Sequence, residues 1–181
     1  MFDASTLILL ARSGLLDIFL GDFRGKALVP AAVKAECAAD PIRPDGLLIR
    51  KRIEEGRLEV ERVKAPRSAA RLREDFRLGQ GEAEAVALAL EKGDTAVVAT
   101  DDRNAIRACK VLRVGFVTAL GILTRSAEVG ILTPESAASV LARLAVIGRY
   151  RTELVEEVAR RLGGTGHGEG SKDGERPSGR G

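Results

Sequence analysis

The chain has 181 residues, of which 45% are hydrophobic and 30% are charged, which is enough for one ordinary globular domain. Its formal net charge of +3 is a mild excess that gives little support by itself to a polyanionic partner. The only histidine, His167, lies in a glycine-rich segment, so Ser-His-Asp or Cys-His catalysis, a histidine-dependent ribonuclease and a His-rich zinc site are excluded from the predicted domain. Any enzymatic chemistry must therefore come from carboxylates.

Cysteine usage and hydropathy set the expected compartment. Cys37 and Cys109 form no CxxC pair and fall inside predicted helices, so we expect reduced, buried thiols rather than disulfides. No stretch reaches the ~18 uninterrupted apolar residues that a membrane span needs, and no signal-like segment stands at the N-terminus. These features predict a cytoplasmic protein with no membrane partner.

Short apolar runs alternate with longer segments of helical period, a pattern typical of an α/β domain with a mainly parallel sheet. Strands are predicted at 27–29, 58–63, 95–99 and 114–117, with a vestigial first strand at 1–2. Helices are predicted at 5–13, 15–22, 30–39, 44–55, 68–76, 82–92, 103–112 and 120–129. Two more are expected from Pro134, broken near Gly148 and ending before Gly163. The segment 163–181 has almost no apolar side chains and is predicted to be disordered.

Acidic side chains stand where predicted strands end or helices begin. Asp3 follows the first apolar residues, and Asp101 and Asp102 follow the strand at 95–99. Glu82 opens the helix before that strand, and Glu36 lies two turns into the helix at 30–39. Because the carboxyl ends of parallel strands meet at one edge of a sheet, we expect Asp3 and the aspartate pair to share that edge.

Each acid also has an ordinary structural explanation. Asp3 and Asp102 are plausible N-caps, Glu82 complements a helix dipole, and Glu36 fits a solvated helical position. Carboxylates held close together, however, repel each other and resist ionisation unless a cation neutralises them. The joint arrangement therefore favours a bound metal ion, and oxygen-only ligands suit Mg²⁺ or Mn²⁺ better than zinc.

Five segments resemble, in this order, the successive signatures of PIN domains. They are FDASTLILLARSG (2–14), VPAAVKAE (29–36), GQGEAEAVALALEKG (79–93), VVATDDRNAIRAC (97–109) and LGILTRSAEVGIL (120–132). Within that superfamily the chain is most similar to a branch with GEAEA and DDR motifs, and more distantly to VapC toxins. The resemblance implies a three-layer α/β/α sandwich with a central, mainly parallel sheet over residues 1–132, with helices at 133–162 packed on it and a tail at 163–181.

The resemblance also implies an activity, metal-dependent cleavage of single-stranded RNA with Mg²⁺ or Mn²⁺. The implied catalytic acids are Asp3, Glu36, Glu82 and Asp102, and the implied metal ligands are these four with Asp101. Glu82 is preferred to Glu84, which stands as a secondary acid. The order Thr100-Asp101-Asp102-Arg103 resembles a Thr-x-Asp-basic pattern, which favours Asp102 and leaves Asp101 a close second.

Supporting and partner roles follow from the same likeness. Ser5 matches a small hydroxyl residue that supports the first acid, and Thr100 supports the last one. Arg103, Arg107 and Lys34 are expected near the acids as candidate RNA contacts, although a solvated helix face is the better explanation for any one of them taken singly. The predicted partners are the RNA substrate, an antitoxin protein and a second copy of the chain. The alternative function is a PIN-like module that has lost catalysis and binds RNA or protein.

Overall fold

A computed structural model describes residues 1–39 and 42–164, which form a mostly helical α/β architecture with short parallel strands. The strands are β1 (Leu28–Pro30), β2 (Glu59–Glu61), β3 (Val97–Ala99) and β4 (Gly115–Val117). The helices are α1 (Ala4–Ser13), α2 (Leu15–Asp22), α3 (Ala31–Cys37), α4 (Pro44–Glu54), α5 (Pro66–Phe76), α6 (Gln80–Lys92), α7 (Arg103–Leu112), α8 (Ala119–Glu128), α9 (Pro134–Gly148) and α10 (Thr152–Gly164).

Apart from the first strand at 1–2, which is reduced to a β-bridge at Phe2, the predicted elements are present, with ends that shift by one or two residues. Helix α5 begins at Pro66 rather than at Ser68, because a proline in the first turn removes an N–H that has no helical acceptor. Helix α10 continues to Gly164, past its predicted end before Gly163, because neither terminal glycine blocks the i→i+4 hydrogen bonds. The predicted tail from residue 165 onward, including His167, lies outside the described residues.

The strands pair as two short parallel sheets, β1 with β2 and β3 with β4. The backbone of residues 1–3 lies between them. Phe2 N donates to Leu28 O at 3.0 Å, and on the other side Ala99 N donates to Met1 O at 2.7 Å. The predicted central sheet is thus two strand pairs connected through Phe2, which forms a β-bridge with Ala99 and a hydrogen bond with Leu28, and α1 begins directly after Asp3.

Buried apolar side chains form two clusters on opposite faces of β3. Val98 packs into a cluster built from α5, α6 and α7, whereas its neighbour Ala99 packs into a larger cluster from α1, α2, α8, α9 and α10. Successive side chains of a strand point to opposite faces, so helices cover β3 on both sides. This packing holds the carboxyl ends of the strands at a common edge.

Cys37 and Cys109 are both buried and free, as predicted. Burial raises the pKa of the Cys37 thiol to about 12 and that of the Cys109 thiol to about 11. Since the thiolate is the reactive form, a raised pKa keeps both thiols protonated, and both side chains pack in the buried clusters.

In residues 1–39 and 42–164, no single helix is both long enough and apolar enough to cross a membrane. Helices α1 and α2 reach the required length and composition only together, with a bend of 100° between them. In this fold both helices contribute side chains to the larger buried cluster.

Candidate functional site

Three segments that follow parallel strands meet at one edge of the fold. Thr6, in the first turn of α1, accepts a hydrogen bond at Oγ1 from Asp101 N at 2.9 Å. Ala119, which begins α8 after β4, donates its N–H to Asp101 Oδ2 at 3.0 Å. The segment after β3 is therefore held on one side by the start of α1 and on the other by the start of α8.

Asp3 is the most enclosed acid at this edge, with no exposed surface. It is the N-cap of α1, and its Oδ1 accepts hydrogen bonds from Thr6 N at 2.7 Å and from Ser5 Oγ at 3.2 Å. Its Oδ2 is buried and has no hydrogen-bond partner among the described residues. A buried acceptor without a donor costs free energy of folding, and Asp3 Oδ2 is such an acceptor.

Burial also raises the pKa of Asp3 above its ordinary value. The neighbouring Thr100 and Thr6 groups favour the ionised form, while the charge of Glu82 disfavours it. The net direction is upward, so the folded protein resists ionising this carboxyl.

Glu82 connects the acids electrostatically. It lies in the first turn of α6, half-buried, and its carboxylate is turned toward the backbone N–H groups of Gly79 and of Glu82 itself. Burial raises its pKa, and the charges of Asp102 and Glu36 raise it further, against the lowering effect of those N–H groups. The charge of Glu82 in turn disfavours ionisation of Asp3, so Glu82 interacts electrostatically with each of the other three acids.

Glu36 comes near Glu82 because α3 and α6 pack closely at Gly81. A Cβ atom at position 81 would lie 2.9 Å from Val33 Cγ2 and 3.6 Å from Glu36 Oε2, so glycine is what allows this approach. Glu36 is exposed, unlike Asp3. It therefore stands at the outer rim of the acidic group.

The adjacent aspartates have different surroundings. Asp102 is the N-cap of α7 and accepts from Ala105 N at Oδ1, at 2.8 Å, while its own N–H donates to Thr100 Oγ1 at 3.2 Å. The Asp101 carboxylate instead accepts from Thr6 Oγ1, from Ala119 N and from Tyr150 Oη. Protein donors engage both oxygens of Asp101, which therefore organises the edge, whereas Asp102 accepts hydrogen bonds from the described residues only at Oδ1.

Sequence reasoning missed Thr6, described above, and the more distant Tyr150. The Tyr150 hydroxyl donates to Asp101 Oδ1 at 2.7 Å, from the turn between α9 and α10. The ring lies against Gly148, where any Cβ would collide with it, and Arg149 between them adopts the left-handed conformation with φ 50°. The break near Gly148 was visible in the sequence, but nothing local indicated that this turn reaches the acidic edge.

We expect Tyr150→Phe to lower the free energy of unfolding by about 1.5 kcal/mol, because Asp101 would lose a hydrogen bond to a charged acceptor. For a chain of this size, the melting temperature should fall by about 3–6 °C, measurable by circular dichroism. In a double-mutant cycle with Asp101→Asn, the two losses should not add. An unchanged melting temperature for Tyr150→Phe would show that this contact contributes nothing.

The other predicted residues lie around this group. Glu84 points to the start of α3, where its Oε2 accepts from Ala32 N at 3.0 Å, and its secondary rank stays a prediction. Lys34 on α3 and Arg103 and Arg107 on α7 are exposed, and none forms a salt bridge with another described residue. Their side chains are free to meet a ligand, although no contact of theirs points to one.

A tightly assembled metal site is not formed. Across residues 1–39 and 42–164, no three Asp, Glu, His or Cys side chains are grouped so that they could hold a metal ion. The donors nevertheless fit Mg²⁺ or Mn²⁺ chemically, since they are all carboxylates, they repel one another, and Asp3 Oδ2 lacks a partner. Asp101 fits least, because protein donors already occupy its oxygens.

Comparison with known proteins agrees with this architecture. The family model DUF3368, described as a PIN domain, matches residues 1–164 and so includes all the predicted acids. Neither a curated protein nor a solved structure matches the chain at a significant level. PIN domains are generally nucleases and usually use divalent metal ions, whereas the narrower likeness to VapC toxins stays a prediction. Since the match covers most of its length, the chain belongs to the DUF3368 family of PIN domains.

Proposed function

We propose that this protein is a metal-dependent ribonuclease that hydrolyses phosphodiester bonds in single-stranded RNA. The observation that carries the proposal is Asp3 Oδ2, a buried carboxylate oxygen that accepts no hydrogen bond from the described residues, in a carboxyl whose pKa is raised by burial and, to a smaller extent, by the charge of Glu82. A divalent cation would satisfy this oxygen and offset the repulsion in one step. PIN membership supports the choice of a nuclease.

Asp3, Glu82 and Asp102 are the residues that would hold Mg²⁺ or Mn²⁺, with Glu36 at the rim. When bound, the cation would lower the pKa of an attacking water and stabilise negative charge on the phosphate. Asp3 and Asp102 are each fixed as a helix N-cap, so their carboxylates are oriented before any ligand arrives. Ser5 and Thr100 hold these two aspartates through a side-chain and a backbone hydrogen bond, respectively.

The finer features of the family resemblance are part of this proposal. We infer that the two strand pairs form the central layer of the three-layer α/β/α sandwich predicted from the sequence, with helices as the two outer layers. Arg103, Arg107 and Lys34 are proposed to contact RNA phosphates, because they are exposed cations free of salt bridges among the described residues. A toxin role, with an antitoxin partner or a second copy of the chain, stays a prediction.

The test is cleavage of an end-labelled single-stranded RNA with Mn²⁺ and with a chelator. We expect cleavage only with the metal, and a loss of about 10²-fold or more in Glu82→Gln. Glu54→Gln, the same substitution at an exposed helical site, is the matched control and should keep full activity. Cleavage that persists in chelator, or in Glu82→Gln at the wild-type rate, contradicts the proposal.

The second candidate is a PIN domain that binds RNA or protein without cleaving. The observation that favours it is that the described acids do not converge into a metal site. Metal binding separates the two functions, since a ligand that binds the folded state raises its stability, by about 2.7 kcal/mol at a hundred times Kd. If Mn²⁺ produces neither a rise in melting temperature nor heat in calorimetric titration, the binding module is the correct function.

A further inference from the structure

A segment outside the acidic edge carries an unbalanced positive charge. Residues 62–77 contain six cations and two acids, an excess of four charges that is larger than the net +3 of the whole chain. The cations are Arg62, Lys64, Arg67, Arg71, Arg73 and Arg77, and all six are exposed. They belong to α5 and to the chain just before and after it.

These cations have no salt-bridge partners in the part of the chain that the structure describes. None of them forms a salt bridge within residues 1–39 and 42–164. The acids of neighbouring β2, by contrast, are neutralised, since Lys26 pairs with Glu59 at 3.2 Å and Lys92 pairs with Glu61 at 2.5 Å. The positive potential of the segment is therefore available to an external anion.

Two of the arginines line a groove. Arg62 and Arg73 stand on a depression of about 370 Å³ between the β2–α5 connection and α6. Small apolar side chains, among them Ala70 and Ala83, form part of its lining. One acid, Glu84, also lines the groove. Its carboxylate already accepts two hydrogen bonds, from Ala32 N at 3.0 Å and from Gln80 Nε2 at 3.1 Å.

The groove adjoins the acidic edge. Its lining residues Gln80 and Ala83 stand on either side of Glu82 in α6. At the end of α5, the carbonyl oxygen of Arg77 accepts a hydrogen bond at 3.4 Å from Asn104 Nδ2, two residues beyond Asp102. A chain lying along Arg62, Arg73 and Arg77 would therefore arrive beside the predicted acids.

We infer that Arg62, Arg73 and Arg77 form a track that binds the phosphate backbone of single-stranded RNA and leads it to the acidic edge. The identity of the ligand as RNA rests on the proposed function. Guanidinium groups suit this role because their fork of N–H donors matches two phosphate oxygens. The groove lining contains no aromatic ring on which a base could stack, so binding should not depend on sequence.

The test measures RNA binding without cleavage. Fluorescence anisotropy of a labelled single-stranded RNA of about 12 nucleotides is recorded in chelator, at several salt concentrations, for the full chain and for Arg62→Gln/Arg73→Gln. The control is Arg151→Gln/Arg160→Gln, which removes the same charge from exposed positions around α10. Melting temperatures of both double variants should match the wild type.

Affinity should fall about tenfold in Arg62→Gln/Arg73→Gln, and the slope of log affinity against log salt should decrease by about 1.4, or roughly 0.7 for each lost phosphate contact. The control should stay within about twofold of the wild type. A wild-type affinity and slope in the track variant, an equal loss in the control, or no RNA binding by the wild type would each overturn the inference. Because the assay contains no metal, RNA binding by the track can be established even if the protein proves unable to cleave.

Discussion

Replacing Asp3 with asparagine is expected to abolish RNA cleavage and at the same time stabilise the metal-free protein. Asparagine keeps the N-cap hydrogen bond to Thr6 N, but it removes a buried charge whose Oδ2 accepts no hydrogen bond within residues 1–39 and 42–164. We expect a rate loss of about 10²–10³-fold. The free energy of unfolding should rise by about 1 kcal/mol, which corresponds to about 2–4 °C in melting temperature.

The pH dependence provides a second readout of the same charge. Because the folded-state pKa of Asp3 is raised above 3.8, the folded protein holds this proton more tightly than the unfolded chain does. The stabilisation of the folded state by this bound proton is fully present below pH 3.8 and is lost as pH rises through the raised pKa. The difference in melting temperature between Asp3→Asn and the wild type should therefore grow as pH rises through this window. Thermal melts in chelator at several pH values measure it.

Two controls separate this effect from a general one. Asp94→Asn makes the same substitution at an exposed position and should change neither rate nor stability. Mn²⁺ should stabilise the wild type but not Asp3→Asn, since the variant lacks the enclosed ligand. An Asp3→Asn protein that cleaves normally, or that melts well below the wild type, would show that Asp3 is a structural cap alone.

Substitutions at Asp101 and Asp102 should have different effects, the first mainly on the stability of the protein and the second mainly on RNA cleavage. Asp101→Ala leaves three donors without their acceptor, Thr6 Oγ1, Ala119 N and Tyr150 Oη, so we expect a loss of about 3 kcal/mol or more. The melting temperature should fall by about 6–12 °C. Asp102→Ala removes one N-cap hydrogen bond, at a cost of about 1 kcal/mol, and yet should reduce cleavage by about 10²-fold.

Thermal melts and RNA cleavage on the same preparations of both variants test this separation. Cleavage by Asp101→Ala is measured well below its melting temperature, so that partial unfolding does not lower the rate. If Asp101→Ala is as stable as the wild type while Asp102→Ala unfolds, the two roles are reversed. A loss of cleavage in Asp101→Ala greater than in Asp102→Ala would place Asp101 among the metal ligands.

Local patterns were sufficient to predict the elements. Helices α2 and α7 begin and end where the apolar period and the flanking residues indicate, because helix formation depends on interactions three or four residues apart. The strands β2 and β3 are shorter than predicted, 59–61 instead of 58–63 and 97–99 instead of 95–99. An apolar run shows that a segment is buried, but strand length depends on how many residues the neighbouring strand offers for pairing.

The ranking of the acids required the tertiary structure. Asp101 and Asp102 are adjacent in the sequence, and a Thr-x-Asp motif could only favour one of them. Their difference comes from Thr6, Ala119 and Tyr150, which are distant in the chain and were recognised only as neighbours of Asp101 in the fold. No local pattern marks Tyr150, because a hydrogen bond between distant residues leaves no periodic signal.

The cationic surface shows the same division. The arginines of residues 62–77 can be read from the sequence. Sequence reasoning, however, predicted RNA contacts at Arg103, Arg107 and Lys34, because these residues stand next to the acidic motifs. Whether a surface cation is available depends on the carboxylates around it, and those come from distant segments. The sequence alone therefore determined the elements and placed Asp3 and Asp102 at the ends of parallel strands, because caps and periodicity are local. The lone oxygen of Asp3, the partners of Asp101 and the unpaired arginines beside the groove were decided by the tertiary structure, because burial and pairing arise only when distant segments pack together.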